Sequence, residues 1–211
     1  MKKDLLTSLI AVVVLTAFLG LAYPLAITGI AQVVFPGRAN GSRVSVDGKV
    51  VGSSLIGQDF KGNPAYFQSR PSATEYSADA TYFSNLGPNS VEARKEYEAN
   101  LKAYLAREVP YDPELRAGGP KTGAGVGISA RRRAVPVDAV TGSASGVDPH
   151  ISQANAWIQA HRIAAVRRLS LAKVGELIST HTDGRSLGLL GEPGVNVLQL
   201  NIALDKEAPL R

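Results

Sequence analysis

No charged side chain occurs between Leu5 and Phe35. A helix crosses the hydrocarbon core of a bilayer with about 20 apolar residues. This run exceeds that length, so it can cross with tilt or project beyond the bilayer. Gly20-Leu21-Ala22 has the small-x-small form of a signal-peptide cleavage site. A signal's apolar region is about 7–15 residues long, however, and here the apolar run continues past that site to Phe35. An uncleaved anchor over residues 5–35 is therefore expected, behind a short tail of residues 1–4. Lys2 and Lys3 place that tail in the cytoplasm by the positive-inside bias, and residues 36–211 then form one extracytoplasmic domain.

Some 45% of the 211 residues are hydrophobic, part of it in the anchor. About 170 residues remain outside it, enough for a domain with a proper core. The net charge is +5, of which Lys2, Lys3 and Asp4 supply +1. The remaining basic residues are not interleaved with aromatics, so nucleic-acid binding finds no support. There is no cysteine, hence neither a disulfide framework nor a thiolate metal site. His150, His161 and His181 do not stand at ligand spacing, and no metal site is expected.

Within the anchor, Pro24 should kink the helix or ease its packing. Ala22, Ala26 and Gly29 share one face, where small residues let another transmembrane helix approach closely. Beyond it, Asp47-Gly48 between valines predicts a hairpin. Asn89 with Glu92 predicts a helix start, with a stripe of Ala93, Tyr97, Leu101, Tyr104 and Leu105 running to Pro110. Residues 117–133, rich in glycine and arginine, read as a mobile loop. Asp138 to Val140 reads as a short strand or extended turn. Thr141, Ser143, Ser145 and Gly146 then form a rigid turn: the hydroxyls bond nearby backbone and Gly146 permits a positive φ. Asp148 caps the next helix with Pro149 at its first position. In that helix Asn155, Gln159 and Arg162 form a polar band, which suits an interface or an internal hydrogen-bond network. Read as an interface, the band faces solvent in the isolated domain, and Gln159→Ala leaves its melting point unchanged. Ser170 caps a further helix. Leu198, Leu200, Ile202 and Leu204 alternate with smaller or polar residues and predict a strand. The expected fold is one N-terminal transmembrane helix followed by a small mixed α/β (α+β) domain.

Two short motifs invite catalytic readings. Gly118-Gly119-Pro120-Lys121-Thr122 has Pro120, without an N–H, where a phosphate loop needs glycine. Ser170-Leu171-Ala172-Lys173 and Lys121-Thr122-Gly123 match the S-x-x-K and K-T-G pair of penicillin-binding enzymes, but in reversed order and without the third element. An extracytoplasmic acyl-serine hydrolase using Ser170 and Lys173 is thus the alternative to an accessory domain.

Longer strings are more specific. They are Gly57-Gln58-Asp59-Phe60, the run from Tyr66 to Ala73 (YFQSRPSA), and Ser84 to Pro88 (SNLGP). The longest runs from Pro136 to Ser152 (PVDAVTGSASGVDPHIS). Gln159 with Arg162-Ile163-Ala164 and the run from Gly191 to Asn201 (GEPGVNVLQLN) follow. In this order they resemble the C subunit of the Kdp-type potassium-transporting ATPases over nearly the whole chain, residues 117–133 excepted. That resemblance implies an accessory, non-catalytic subunit of a high-affinity potassium uptake pump in the bacterial cytoplasmic membrane, its domain periplasmic. The implied partners are a channel-like potassium-binding subunit and a P-type ATPase subunit. ATP and potassium are handled by the complex, and no cofactor is expected on this chain. The family has been proposed to raise the ATPase subunit's affinity for ATP, with a glutamine touching the nucleotide. That glutamine corresponds to Gln159.

Overall fold

The computed structural model describes residues 2–77, 79–87, 89–117 and 134–210. The loop expected at 117–133, with its Lys121-Thr122-Gly123 motif, lies almost wholly outside them. The chain divides into two compact units, Met1–Ser53 and Ser54–Arg211.

In the first unit the uncharged run is a single helix, α1 (Lys2–Val34), with none of its side chains buried. It is about 50 Å long at 1.5 Å per residue, longer than the roughly 30 Å hydrocarbon core. Pro24 leaves a specific mark. Its ring crowds the carbonyl four residues back, that of Gly20, and it offers no N–H. The preceding turn, Phe18–Ala22, widens into a π-helical turn in which the Tyr23 N–H donates to Phe18 O. After one further turn, Pro36–Ala39, come β1 (Arg43–Val46) and β2 (Lys49–Ser53), paired antiparallel. Asp47 and Gly48 both have positive φ, 51° and 78°, the backbone that a two-residue hairpin turn requires.

The second unit begins with extended and turn segments that lead to α2 (Val91–Glu108). Its cap is Ser90, which accepts from the Glu92 and Ala93 N–H groups, and not Asn89 as expected. Val137–Ala139 is a 3-10 turn where a strand or extended turn was expected. Next come β3 (His150–Ser152), α3 (Gln153–Arg167), α4 (Leu171–Thr180), β4 (Thr182–Asp183), β5 (Gly194–Asn196) and α5 (Val197–Glu207). The strands form a small antiparallel sheet in the order β3-β5-β4.

Two helix starts follow the same plan, in which the last strand residue caps the next helix. Ser152 accepts from the Asn155 N–H, and Asn196 accepts from the Gln199 N–H. Asp148 is therefore not the cap of α3. It lies before β3, accepting from the His150 N–H and pairing with Arg70. The expected strand at Leu198 to Leu204 is helical. Val197, Leu200, Asn201 and Leu204 are buried together with Leu198, a three-to-four spacing. The alternation of leucines fitted either period, and the cap at Asn196 decides for the helix.

The main core joins Phe67, Ile151, Ala156, Ala160, Ile163, Val174, Ile178, Val195 and Leu200. A smaller one joins Tyr104, Leu115, Ala139 and Ile158. Helix α3 contributes to both, so little of its surface is left for solvent. Asn196→Ala removes the α5 cap and the Asn196 Nδ2 bond to Ser54 O. It should cost about 1–2 kcal/mol and lower the melting temperature by a few degrees. A strand at this position would lose no cap, and an unchanged melting temperature would contradict the assignment.

Candidate functional site

Three of the polar residues singled out above are buried. Asn155 and Gln159 are 1% exposed and Arg162 is 0% exposed. Their spacing along α3 sets them side by side on one face, and that face points inward. The chain of bonds starts at Asp138, whose carboxylate accepts from the Ser152 N–H and Oγ at 2.8 Å each and from Asn155 Nδ2 at 3.1 Å. Asn155 Oδ1 accepts from Tyr104 OH at 2.9 Å and from Gln159 Nε2 at 3.0 Å. Burial pushes the Tyr104 phenol well above its ordinary pKa, with Glu108 adding to the shift. It stays a neutral donor.

Gln159 and Asn201 do the same work on adjacent residues. The Gln159 amide accepts from the Gln68 N–H at 2.8 Å and donates to Gln68 O at 3.1 Å. The Asn201 amide, from α5, accepts from the Phe67 N–H at 2.9 Å and donates to Phe67 O at 3.0 Å. Each side chain stands in for a neighbouring strand. Arg162 Nη1 donates to Pro64 O and to Tyr66 O, and Arg167 Nε donates to Ala65 O. The Ala65 and Tyr66 N–H groups go to Asn63. Every backbone polar group from Pro64 to Gln68 is thus paired.

Arg162 is neutralised by Glu108, at 3.0 Å and with both side chains fully buried. Arg107 Nε donates to Oε1 of the same carboxylate at 2.7 Å. Desolvation lowers the Arg162 pKa and the Glu108 charge opposes that shift. The sequence reading missed Glu108, Asp138, Arg167 and Asn201. Glu108 sits on a helix whose neighbours are mostly exposed, and nothing local marks it as buried.

The remaining expectations fall as follows. The turn from Thr141 to Asp148 docks on residues 71–74: the Ser143 N–H donates to Pro71 O, and Gly146 O accepts from Ser72 and Thr74. Thr141 Oγ1 donates to Val137 O and Ser145 Oγ accepts from the Val147 N–H. Gly146 has φ 74°, and a Cβ there would lie 2.7 Å from Thr74 Oγ1. Ala22, Ala26 and Gly29 are exposed along α1. Ser170 Oγ accepts from the Lys173 N–H as a cap, while Lys173 Nζ pairs with Glu176 and Glu207. Those carboxylates raise the Lys173 pKa, Glu176 foremost, which is the wrong direction for a base. A cleft of about 230 Å³ lies beside the network, lined among others by Gln58, Asp59, Arg70, Tyr76, Asn100 and Arg107. Of its two arginines, Arg107 donates to Glu108, and Arg70 donates through Nη1 to Asp148 and through Nη2 to Gly142 O while its buried Nε has no partner.

Fold and site define a class: one helix long and apolar enough to cross a membrane, followed by a small mixed domain whose buried polar side chains hold its own backbone. Sequence comparison supplies the family. The family model KdpC, the K+-transporting ATPase c chain, matches residues 5–206, and the chain belongs to that family. It is 43% identical to the potassium-transporting ATPase KdpC subunit of Koribacter versatilis, over 100% of this chain and 98% of that one. It is 47% identical to the subunits of the same name from Sorangium cellulosum, over 97% of this chain and 98% of the other, and Polaromonas naphthalenivorans, over 100% and 98%.

The buried Gln159 reverses one expectation. Gln159→Ala leaves the Gln68 backbone and one Arg162 nitrogen unpaired around a new cavity. It should destabilise the domain by roughly 2–4 kcal/mol, seen as a melting temperature lower by several degrees. An unchanged melting temperature would show the amide to be dispensable for folding.

Proposed function

We propose that this chain is the accessory, non-catalytic subunit of an ATP-driven, high-affinity potassium pump, tethered by α1 and acting in assembly. Its partners on this reading are a channel-like potassium-binding subunit and a P-type ATPase subunit. The observation that carries it is the family match over nearly the full length. The site agrees: the most deeply buried polar groups are spent on structure. Serine and lysine of the one nucleophile-like motif are a helix cap and a paired cation.

The N-terminus lies on the cytoplasmic side of the bacterial cytoplasmic membrane and the domain on the periplasmic side, on the strength of Lys2 and Lys3. ATP is scarce there. Gln159 also has both donor directions and both acceptor directions filled from within the domain. An effect of this chain on ATP affinity is then exerted through contact with the ATPase subunit, and not by Gln159 holding the nucleotide. Asn155, Gln159 and Arg162 serve such contact indirectly, by fixing the surface that overlies them. The direct helix contact falls to Ala22, Ala26 and Gly29, where no Cβ stands in the way at Gly29.

Ala26→Leu with Gly29→Leu keeps the span apolar and blocks close approach. The pump purified in detergent should lose this subunit. Recovery at normal yield would show the face to be turned to lipid. Protease added to right-side-out vesicles should digest the domain without opening the membrane. Digestion only after opening would reverse the orientation.

A further inference from the structure

Between β4 and β5, residues 184–192 are all exposed. Within them Leu187, Leu189 and Leu190 are 90%, 81% and 62% exposed. A single exposed leucine is ordinary, but three within four residues on one protrusion are not. The protrusion is ordered by its own bonds. Ser186 and Leu190 exchange N–H···O bonds at 2.8 and 2.9 Å, and Gly188 N–H donates to Arg185 O. Arg185 holds the Glu192 carboxylate with both oxygens at 2.9 Å. Leu187 itself has φ 55°, a left-handed conformation that a branched side chain adopts only at a cost. Nothing the leucine packs on within the domain offsets that cost.

We propose that this leucine-tipped finger is a docking element that inserts into an apolar pocket on the aqueous face of a membrane-embedded partner subunit. The inference rests on the reading of the chain as a pump subunit. The occupant follows from the chemistry of the tip. Its one basic residue, Arg185, is cancelled by Glu192, and residues 184–192 hold no aromatic. A segment built to enter a lipid surface carries unpaired basic residues and interfacial aromatics beside its apolar side chains. A charge-neutral, convex, aliphatic tip on an ordered base suits a dry, concave protein pocket instead. The anchor already confines the domain to the partner's membrane, so a contact of three side chains is enough to hold it at high effective concentration.

The chain has no cysteine, which makes the test direct. The full chain bearing Leu189→Cys is expressed with its two large partner subunits or alone, in membranes, and labelled with a water-soluble maleimide. Expected is labelling about tenfold or more slower in the assembled pump than in the chain alone, the factor that about 1.4 kcal/mol of burial produces. Equal labelling in both would overturn the proposal. Slow labelling already in the chain alone, with quenching of a fluorophore at the same position by nitroxide lipids, would overturn it in favour of the lipid surface. Slow labelling in the chain alone without such quenching would overturn it in favour of self-association. Co-purification of the unaltered chain is measured alongside. Its failure removes the pump-subunit reading itself, whereas its success with rapid labelling removes only the finger.

Discussion

Five consecutive carbonyls, from Pro64 to Gln68, are capped by side chains from two helices. The rest of the second unit depends on this arrangement. Phe67 is fully buried in the main core, and a buried segment outside any sheet must find partners for its backbone or lose several kcal/mol. The chain answers with Gln159, Arg162 and Arg167 from α3 and Asn201 from α5. Arg162 then has to be neutralised, which places Glu108, and with it the end of α2, against α3. One requirement thus fixes three helices around one loop. An ion pair this deep is weak evidence of net stability. Its worth here is that alternative packings would leave a charge or a carbonyl stranded.

What the sequence makes legible is local. Asp47-Gly48 carries its hairpin because both residues tolerate positive φ, and Ser170 caps α4 as read. The apolar run is a helix because nothing interrupts it except Pro24, which the chain absorbs in a π turn. The family was legible too, because long strings are specific where short motifs are not. The failures share one cause. Asp148-Pro149 has every mark of a helix start, yet β3 intervenes, since His150 to Ser152 pairs with Gly194 to Asn196 far along the chain. Asn155, Gln159 and Arg162 read as a polar band because polar residues usually face water. Their partners outside the helix lie 17 to 98 residues away, and no local pattern announces them.

This inward use of polar groups bears on function. Asn155, Gln159, Arg162 and Asn201 have their hydrogen-bonding groups taken up within the domain. The domain is built to hold a shape. What it offers outward is surface: exposed loops, and the leucine-rich segment between β4 and β5.

Amide hydrogen exchange at Phe67 and Gln68 in the full chain tests the central claim most directly. Held by Asn201 and Gln159, these two amides should exchange as slowly as the core amides of α3, through opening of the whole domain. Asn201→Ala should release Phe67 first and Gln159→Ala should release Gln68 first. Exchange at the rate of an exposed loop in the unaltered chain would contradict the account, because the segment would then be held by something other than these side chains.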